Sequence, residues 1–198
     1  MNKEVILSSK TQKRDEMIKY AYELFYKNGF HATGVDAIIE GTGISKRTLY
    51  KHFASKEGLI LASIDYYHQT MYKAIFDYLQ KSSPNSPVEK ALKIFDFLSM
   101  QVDAGKQYGC FAMNAKNEYV NKAGEIEKAC DAYVLALQEL IELYLKEGNL
   151  ADSKSSAMQV MMLFEGAIIR SKGLGNSQPV RLAKTAAKLI CKAPNPKI

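Results

Sequence analysis

An all-α fold of about nine helices is predicted, and three observations predict it. Apolar residues recur at three- and four-residue intervals along most of the chain, the period of a helix with one face turned inward. The five prolines fall only at Pro84, Pro87, Pro179, Pro194 and Pro196, so long stretches are free of the residue that breaks helices. No segment shows a convincing alternation of apolar and polar residues, so no strand is expected.

The first helix carries Ile18, Ala21, Tyr22 and Phe25 at i, i+3, i+4 and i+7, and "KNGF" at 27 to 30 supplies a glycine stop. In "TGVD", the Thr33 hydroxyl is expected to cap a second, short helix that buries Val35, Ile38 and Ile39 and ends before Gly41 and Gly43. Ser45 is expected to cap a third helix, with Ile44 and Leu49 in staple positions, and Ser55 a fourth, with Ala54 and Leu59 as the weaker pair. The fourth is long: Ile60, Ile64, Tyr67, Met71, Ile75 and Tyr78 advance by three or four until "KSSPNSP" breaks it. Further helices are expected near 88–103, 110–120, 123–147, 153–172 and 179–192.

The chain has 198 residues, 47% of them hydrophobic, enough for a sizeable core. Its net charge is +6, and residues 1–60 alone hold ten Lys/Arg against seven Asp/Glu, so half the excess lies at the amino end. Three cysteines at wide spacing, Cys110, Cys130 and Cys191, favour neither a disulfide framework nor a zinc site, and suit a reducing cytosol. The first ten residues contain an apolar run of only three, and no eighteen apolar residues run together, so neither a signal peptide nor a membrane span is expected. A soluble cytoplasmic protein follows, with no membrane partner. No internal repeat or low-complexity tract is found.

The second and third helices, joined at Gly43, have the lengths of a helix-turn-helix, whose second helix enters the DNA major groove. With Leu49 turned inward, Arg47 and Lys51 both fall about 160° away, flanked by Thr48 and Tyr50. Arg47 can present its fork to guanine, while Lys51 and the hydroxyls suit phosphate or water-mediated contact. Helix amino ends at Thr33, Ser45 and Ser55, with Lys46 and Lys56 beside two of them, are natural phosphate seats. "GTGISK" at 41–46 is no phosphate-binding loop: no strand precedes it and the second glycine of that pattern is missing.

The segment "YELFYKNGFHATGVDAIIEGTGISKRTLYKHFASKEGLILASI", residues 22–64, resembles the amino-terminal domain of the TetR/AcrR transcriptional regulators. The resemblance rests on Phe25, Gly29, Phe30, Thr33, Val35 and Ile38 and on the "GISxxTLYxHFxSKExL" run through Leu59. It implies a helix-turn-helix domain over 1–54 and a helical ligand-binding and dimerisation domain over 55–198. It further implies a homodimeric repressor that binds a palindromic operator in double-stranded DNA and is released by a small-molecule effector. Carried onto this chain, the family's DNA contacts fall on Thr33, Thr42, Lys46, Arg47, Thr48, Tyr50, Lys51, His52 and Lys56. Arg47 stands where many relatives have a small residue, so its base preference should be its own. "YGCFAMNAKNEY" at 108–119 is similar to the start of the sixth helix in one subgroup.

In the carboxy-terminal half, eight Met and twelve Tyr with no Trp suggest an adaptable interior. The inward stripes point to a ligand pocket lined by Tyr67, Met71, Phe95, Met100, Cys110, Phe111, Met113, Tyr133 and Leu137. "MQVMMLFEGAIIRSKG" is apolar around much of its circumference, and Val160, Leu163, Phe164 and Ala167, with Ala183, Ala187 and Ile190 of the last helix, are expected to pair with a symmetry mate in a four-helix bundle.

Two rival readings remain. Cys110, at a helix start with Lys106 nearby, could sense an oxidant or electrophile on the same DNA-binding frame. An enzyme would need catalytic groups, yet the histidines are only His31, His52 and His68, in no metal-binding spacing, and no nucleophile elbow occurs. No enzymatic activity, metal or cofactor is expected.

Overall fold

A computed structural model describes residues 3–105, 109–122 and 124–192, with side chains from residue 11 onward. Among these residues there are nine helices and no strand: α1 (Lys3–Asn28), α2 (Val35–Thr42), α3 (Lys46–Phe53), α4 (Lys56–Lys81), α5 (Pro87–Asp103), α6 (Phe111–Tyr119), α7 (Gly124–Glu147), α8 (Ser153–Leu174) and α9 (Gln178–Ile190). None is long and apolar enough to cross a membrane. The observed ends of α5 to α9 lie within about two residues of the ranges expected from the sequence.

Capping chemistry explains where the helices start. Ser45 Oγ accepts from Thr48 N at 3.2 Å and Ser55 Oγ from Gly58 N at 3.1 Å. Ser86 Oγ accepts from Glu89 N while the Glu89 carboxylate accepts from Asn85 N, a box that starts α5 with Pro87 in its first turn. Asp152 does the same for α8 through Ser155 N. Thr33 departs from expectation. Gly34 occupies the α2 cap position with no side-chain bond, and Thr33 is 3% exposed with its hydroxyl donating back to Gly29 O at 2.7 Å. Its side chain closes the α1–α2 turn instead of opening the next helix.

The chain forms two compact units. The first gathers Met1–Thr70 and Phe111–Asp131, the second Met71–Cys110 and Ala132–Ile198. The stretch 111–131 joins the first unit because Phe111 sits among its aromatic rings, 4.8 Å from Tyr22, 4.9 Å from Phe30 and 5.4 Å from Tyr67 between centroids. Met17, Ala21, Phe25, Phe30, Ile38, Leu49, Leu59 and Ile60 are buried in the same unit.

In the second unit α9 lies against α8 and α5. Val160, Phe164, Ala167 and Ala187, expected at an intermolecular contact, are buried within the chain, and Phe164 meets Phe95 edge-on at 5.8 Å. They are core because α8 and α9 turn these residues toward each other and toward α5. Leu163, Ala183 and Ile190 are half-buried. The most exposed large apolar residues of α8 and α9 are Met162, Ile169, Leu182 and Leu189, each about two-thirds exposed. Met158, Met162 and Ile169 share one side of α8 by helical spacing, as Leu182 and Leu189 do on α9.

Candidate nucleic-acid interface

The amphipathic pattern of α3 fixes which of its side chains meet solvent. Leu49 is fully buried and Phe53 nearly so, while Lys46, Arg47, Tyr50 and Lys51 are exposed. Arg47 and Lys51 therefore stand on the outer face, as the helical period requires. Arg14 of α1 lies over the Phe53 ring at 5.3 Å and covers the inward end of the helix. The turn before α3 needs Gly43, whose φ of +66° is in the left-handed region and whose N–H closes α2 on Ile39 O at 2.9 Å.

After α3 the chain reverses over Ala54 and Ser55 and enters α4 at once. A Cβ on Gly58 would stand 2.0 Å from Phe53 O, so only glycine lets the first turn of α4 pass that carbonyl. Ala54 holds φ +59° with its N–H on Tyr50 O at 2.9 Å, a strained conformation for a residue with a Cβ.

The nine expected contact residues divide by chemistry. Arg47, Lys51 and Lys56 have no polar partner among the described residues and can offer all their donors to a polyanion. Lys46 is held by Asp36 at 3.0 Å, and that carboxylate's hydrogen bond and charge raise the ammonium above the ordinary lysine range. Both groups are well exposed, so a phosphate can take the place of Asp36 at little cost. Thr48 Oγ1 is 2.8 Å from Ser45 Oγ, Tyr50 is 40% exposed and His52 is half-buried beside Phe53. The hydroxyls of Thr33 and Thr42 are already donated, to Gly29 O and to Ile38 O, both at 2.7 Å. A phosphate only accepts, so neither hydroxyl has a hydrogen left to offer it.

Glu118 is a residue the sequence reading did not find. From α6 its carboxylate accepts from Phe30 N at 3.0 Å and His31 N at 2.7 Å, pinning the α1–α2 turn. His31 Nε2 lies 2.8 Å from Glu118 O, and since a carbonyl only accepts, that nitrogen carries the proton. The His31 ring also lies 4.8 Å from Tyr119. No local pattern marks a contact spanning 88 residues.

The expected ligand-pocket residues fall in both units. Tyr67, Phe111 and Met113 belong to the first, with Tyr67 and Phe111 buried in the aromatic cluster. Met71, Phe95, Met100, Cys110, Tyr133 and Leu137 belong to the second. Phe95, Tyr133 and Leu137 are buried, whereas Met100 is 50% exposed: it lies on the outer side of α5, away from the stripe of Ala91, Leu92, Ile94 and Phe95. Cys110 is buried just before α6, in no disulfide, and Lys106 lies outside the described residues. Among the described residues no cluster of His, Cys, Asp and Glu could hold a metal ion.

A sequence model of bacterial regulatory proteins of the TetR family matches residues 17–63. A second, of the carboxy-terminal domain of LmrA/YxaF-like transcriptional regulators, matches residues 87–186. The chain is 26% identical over 179 residues to the HTH-type transcriptional activator FasR of Mycolicibacterium smegmatis, covering 85% of this chain and 75% of FasR. It is 32% identical over 103 residues to the HTH-type transcriptional regulator YuxN of Bacillus subtilis, covering 48% of this chain and only 35% of YuxN. The crystal structure of a TetR-family regulator from Streptomyces coelicolor superposes with a TM-score of 0.82 at 20% identity, over 97% of this chain and 95% of that one, which establishes the shared fold.

Proposed function

The chain belongs to the TetR family of bacterial transcriptional regulators, and from that membership we propose that it represses transcription by binding a palindromic operator as a homodimer and is released by a small molecule. The observation that carries this reading is the facing of α3. A buried Leu49 and Phe53 anchor it, and an exposed Arg47 and Lys51 are left on the side away from the core. Arg47 can make a bidentate contact to guanine O6 and N7; Lys46, Lys51 and Lys56 neutralise phosphates.

The homodimer is supported by the apolar side chains of α8 and α9. Four large aliphatic residues about two-thirds exposed on two adjacent helices form the kind of surface that a second copy covers. Two recognition helices related by a two-fold axis read half-sites about 34 Å apart or a multiple of it, which demands a palindrome.

Release follows from linkage. A ligand that prefers a conformer with misplaced recognition helices weakens DNA binding by the factor with which DNA weakens its own binding. The effector is assigned to the helices of the second unit, and α4 is the element through which it acts, since it starts at Ser55 beside the recognition helix and contributes residues to both units. Repression is favoured over activation because occupying an operator needs only the surfaces described, whereas activation needs a further one for the transcription machinery.

The test is selection of bound duplexes from a random pool, with Arg47→Ala in parallel at one salt concentration. A palindromic consensus is expected, relaxed at one position per half-site in the variant, with a loss of about 1–3 kcal/mol per bidentate contact on the wild-type site. Recovery of no common sequence at any salt concentration would overturn the reading.

A further inference from the structure

A cavity of about 380 Å³ opens in the second unit where the start of α5 meets the end of α9. Its inner wall is apolar, with Leu92 and Cys191 buried and Val88 half-buried. Its rim is cationic: Lys93 comes from α5, Lys184 and Lys188 from α9, and Lys192 from just beyond it. The one acidic residue in the lining, Glu89, is engaged in the α5 cap. Asp96, behind the rim, accepts from Lys184 and lies 3.2 Å from Lys93. Four lysines against Glu89 and Asp96 leave a local excess of two positive charges (4 − 2).

Apart from the Asp96 pair, the lysines of this rim do not stabilise one another. Lys184, Lys188 and Lys192 are spaced i, i+4, i+8, so their charges stack one above another and repel. The carboxyl end of the α9 dipole offsets this for Lys188, but Lys184 sits almost two turns inside the helix. Lys188 and Lys192 have no polar partner among the described residues. Lys93 and Lys184 are half-buried and share a single carboxylate.

We infer that this cavity binds a small molecule carrying a phosphate monoester on an apolar body. The volume suits a small ligand. Lysine binds phosphate as a point charge, and a monoester carries about −1.5 to −2 at pH 7, which balances the excess. The apolar wall takes the organic part. The site goes beyond the proposed function and does not depend on it, since it shares no residue with the DNA face or with the expected effector lining.

The test is calorimetric titration of the full chain with hexyl phosphate at constant ionic strength, with inorganic phosphate and hexanoate as comparison probes. Wild type is expected to saturate at one molecule per chain, with hexyl phosphate the tightest of the three. Lys188→Gln combined with Lys192→Gln, at exposed positions, should weaken binding at least about tenfold. Asp96→Asn releases Lys93 and Lys184 and should tighten it. Arg47→Ala with Lys51→Ala should leave it unchanged. No saturable binding, an unaltered affinity in the double glutamine variant, or loss of binding in the Arg47/Lys51 variant would overturn the site. Equal affinity for inorganic phosphate would overturn the apolar part of the assignment, and equal affinity for hexanoate its choice of phosphate.

Discussion

Substituting Glu118 tests whether α6 holds the α1–α2 turn, because that side chain makes two bonds that nothing else in the turn replaces. Its carboxylate receives Phe30 N, which is part-buried, and His31 N, which is exposed. A bond to a charged acceptor contributes about 1.5–3 kcal/mol, and water competes for the exposed one, so Glu118→Ala should cost about 2 kcal/mol in all. In a chain of this size that lowers Tm by roughly 4–8 °C. Glu118→Gln keeps one neutral acceptor and should lose about half as much. The bond between His31 Nε2 and Glu118 O survives both changes, since it uses the backbone of residue 118. Melting followed by circular dichroism, at one fixed protein concentration, reads the difference. A Tm for Glu118→Ala within about 1 °C of wild type would refute the reasoning, as would identical melting of the Ala and Gln variants.

Ile169→Glu places a carboxylate on the open face of α8, and the proposed two-fold interface would meet it twice, so light scattering after size exclusion should report a dimer for wild type and a monomer for the variant. Gly58→Ala drives a Cβ into the Phe53 carbonyl and should cost about 2–3 kcal/mol, seen as a lower urea midpoint; an unchanged midpoint would show that the corner has room. For Asp96, burial pushes the carboxyl upward, but Lys184 and Lys93 outweigh it and hold it below the usual carboxylate range. A group lowered on folding contributes its stability above the unfolded pKa of about 3.9 and loses it as pH falls through the folded value. The Tm of wild type should therefore drop more steeply than that of Asp96→Asn between about pH 4.5 and 2.5.

The starts of α3 and α4 were legible because Ser45 and Ser55 announce them locally, each accepting from a backbone N–H three residues on, and Ser86 and Asp152 act in the same way at α5 and α8. The facing of Arg47 and Lys51 was legible for a similar reason, since one buried Leu49 orients an eight-residue helix. Thr33 misled because a Thr-x-x-Asp pattern describes a possible cap, while the competing acceptor, Gly29 O, lies in the preceding turn. On α8 the apolar residues nearly encircle the helix. Periodicity then cannot say which side meets the chain's own α9 and which is left open, so Val160 and Phe164 were assigned outward although they are buried, while Met162 and Ile169 are exposed. Glu118 and the lysines around Cys191 were invisible because each constellation joins residues about 90 or more positions apart, and no local signal encodes such proximity.

On the proposed role of α3 in reading DNA, the corner between α3 and α4 bears on how sequence preference can change over time. Glycine at 58 against the Phe53 carbonyl, with Leu49 and Phe53 buried beneath, leaves that joint no tolerance for larger residues. The side chains at the outward positions 47, 50 and 51 are exposed, and that at 46 makes only an exposed ion pair with Asp36. A lineage can thus exchange its reading residues one at a time while the mount stays fixed, and drift in what is recognised need not pass through an unfolded intermediate.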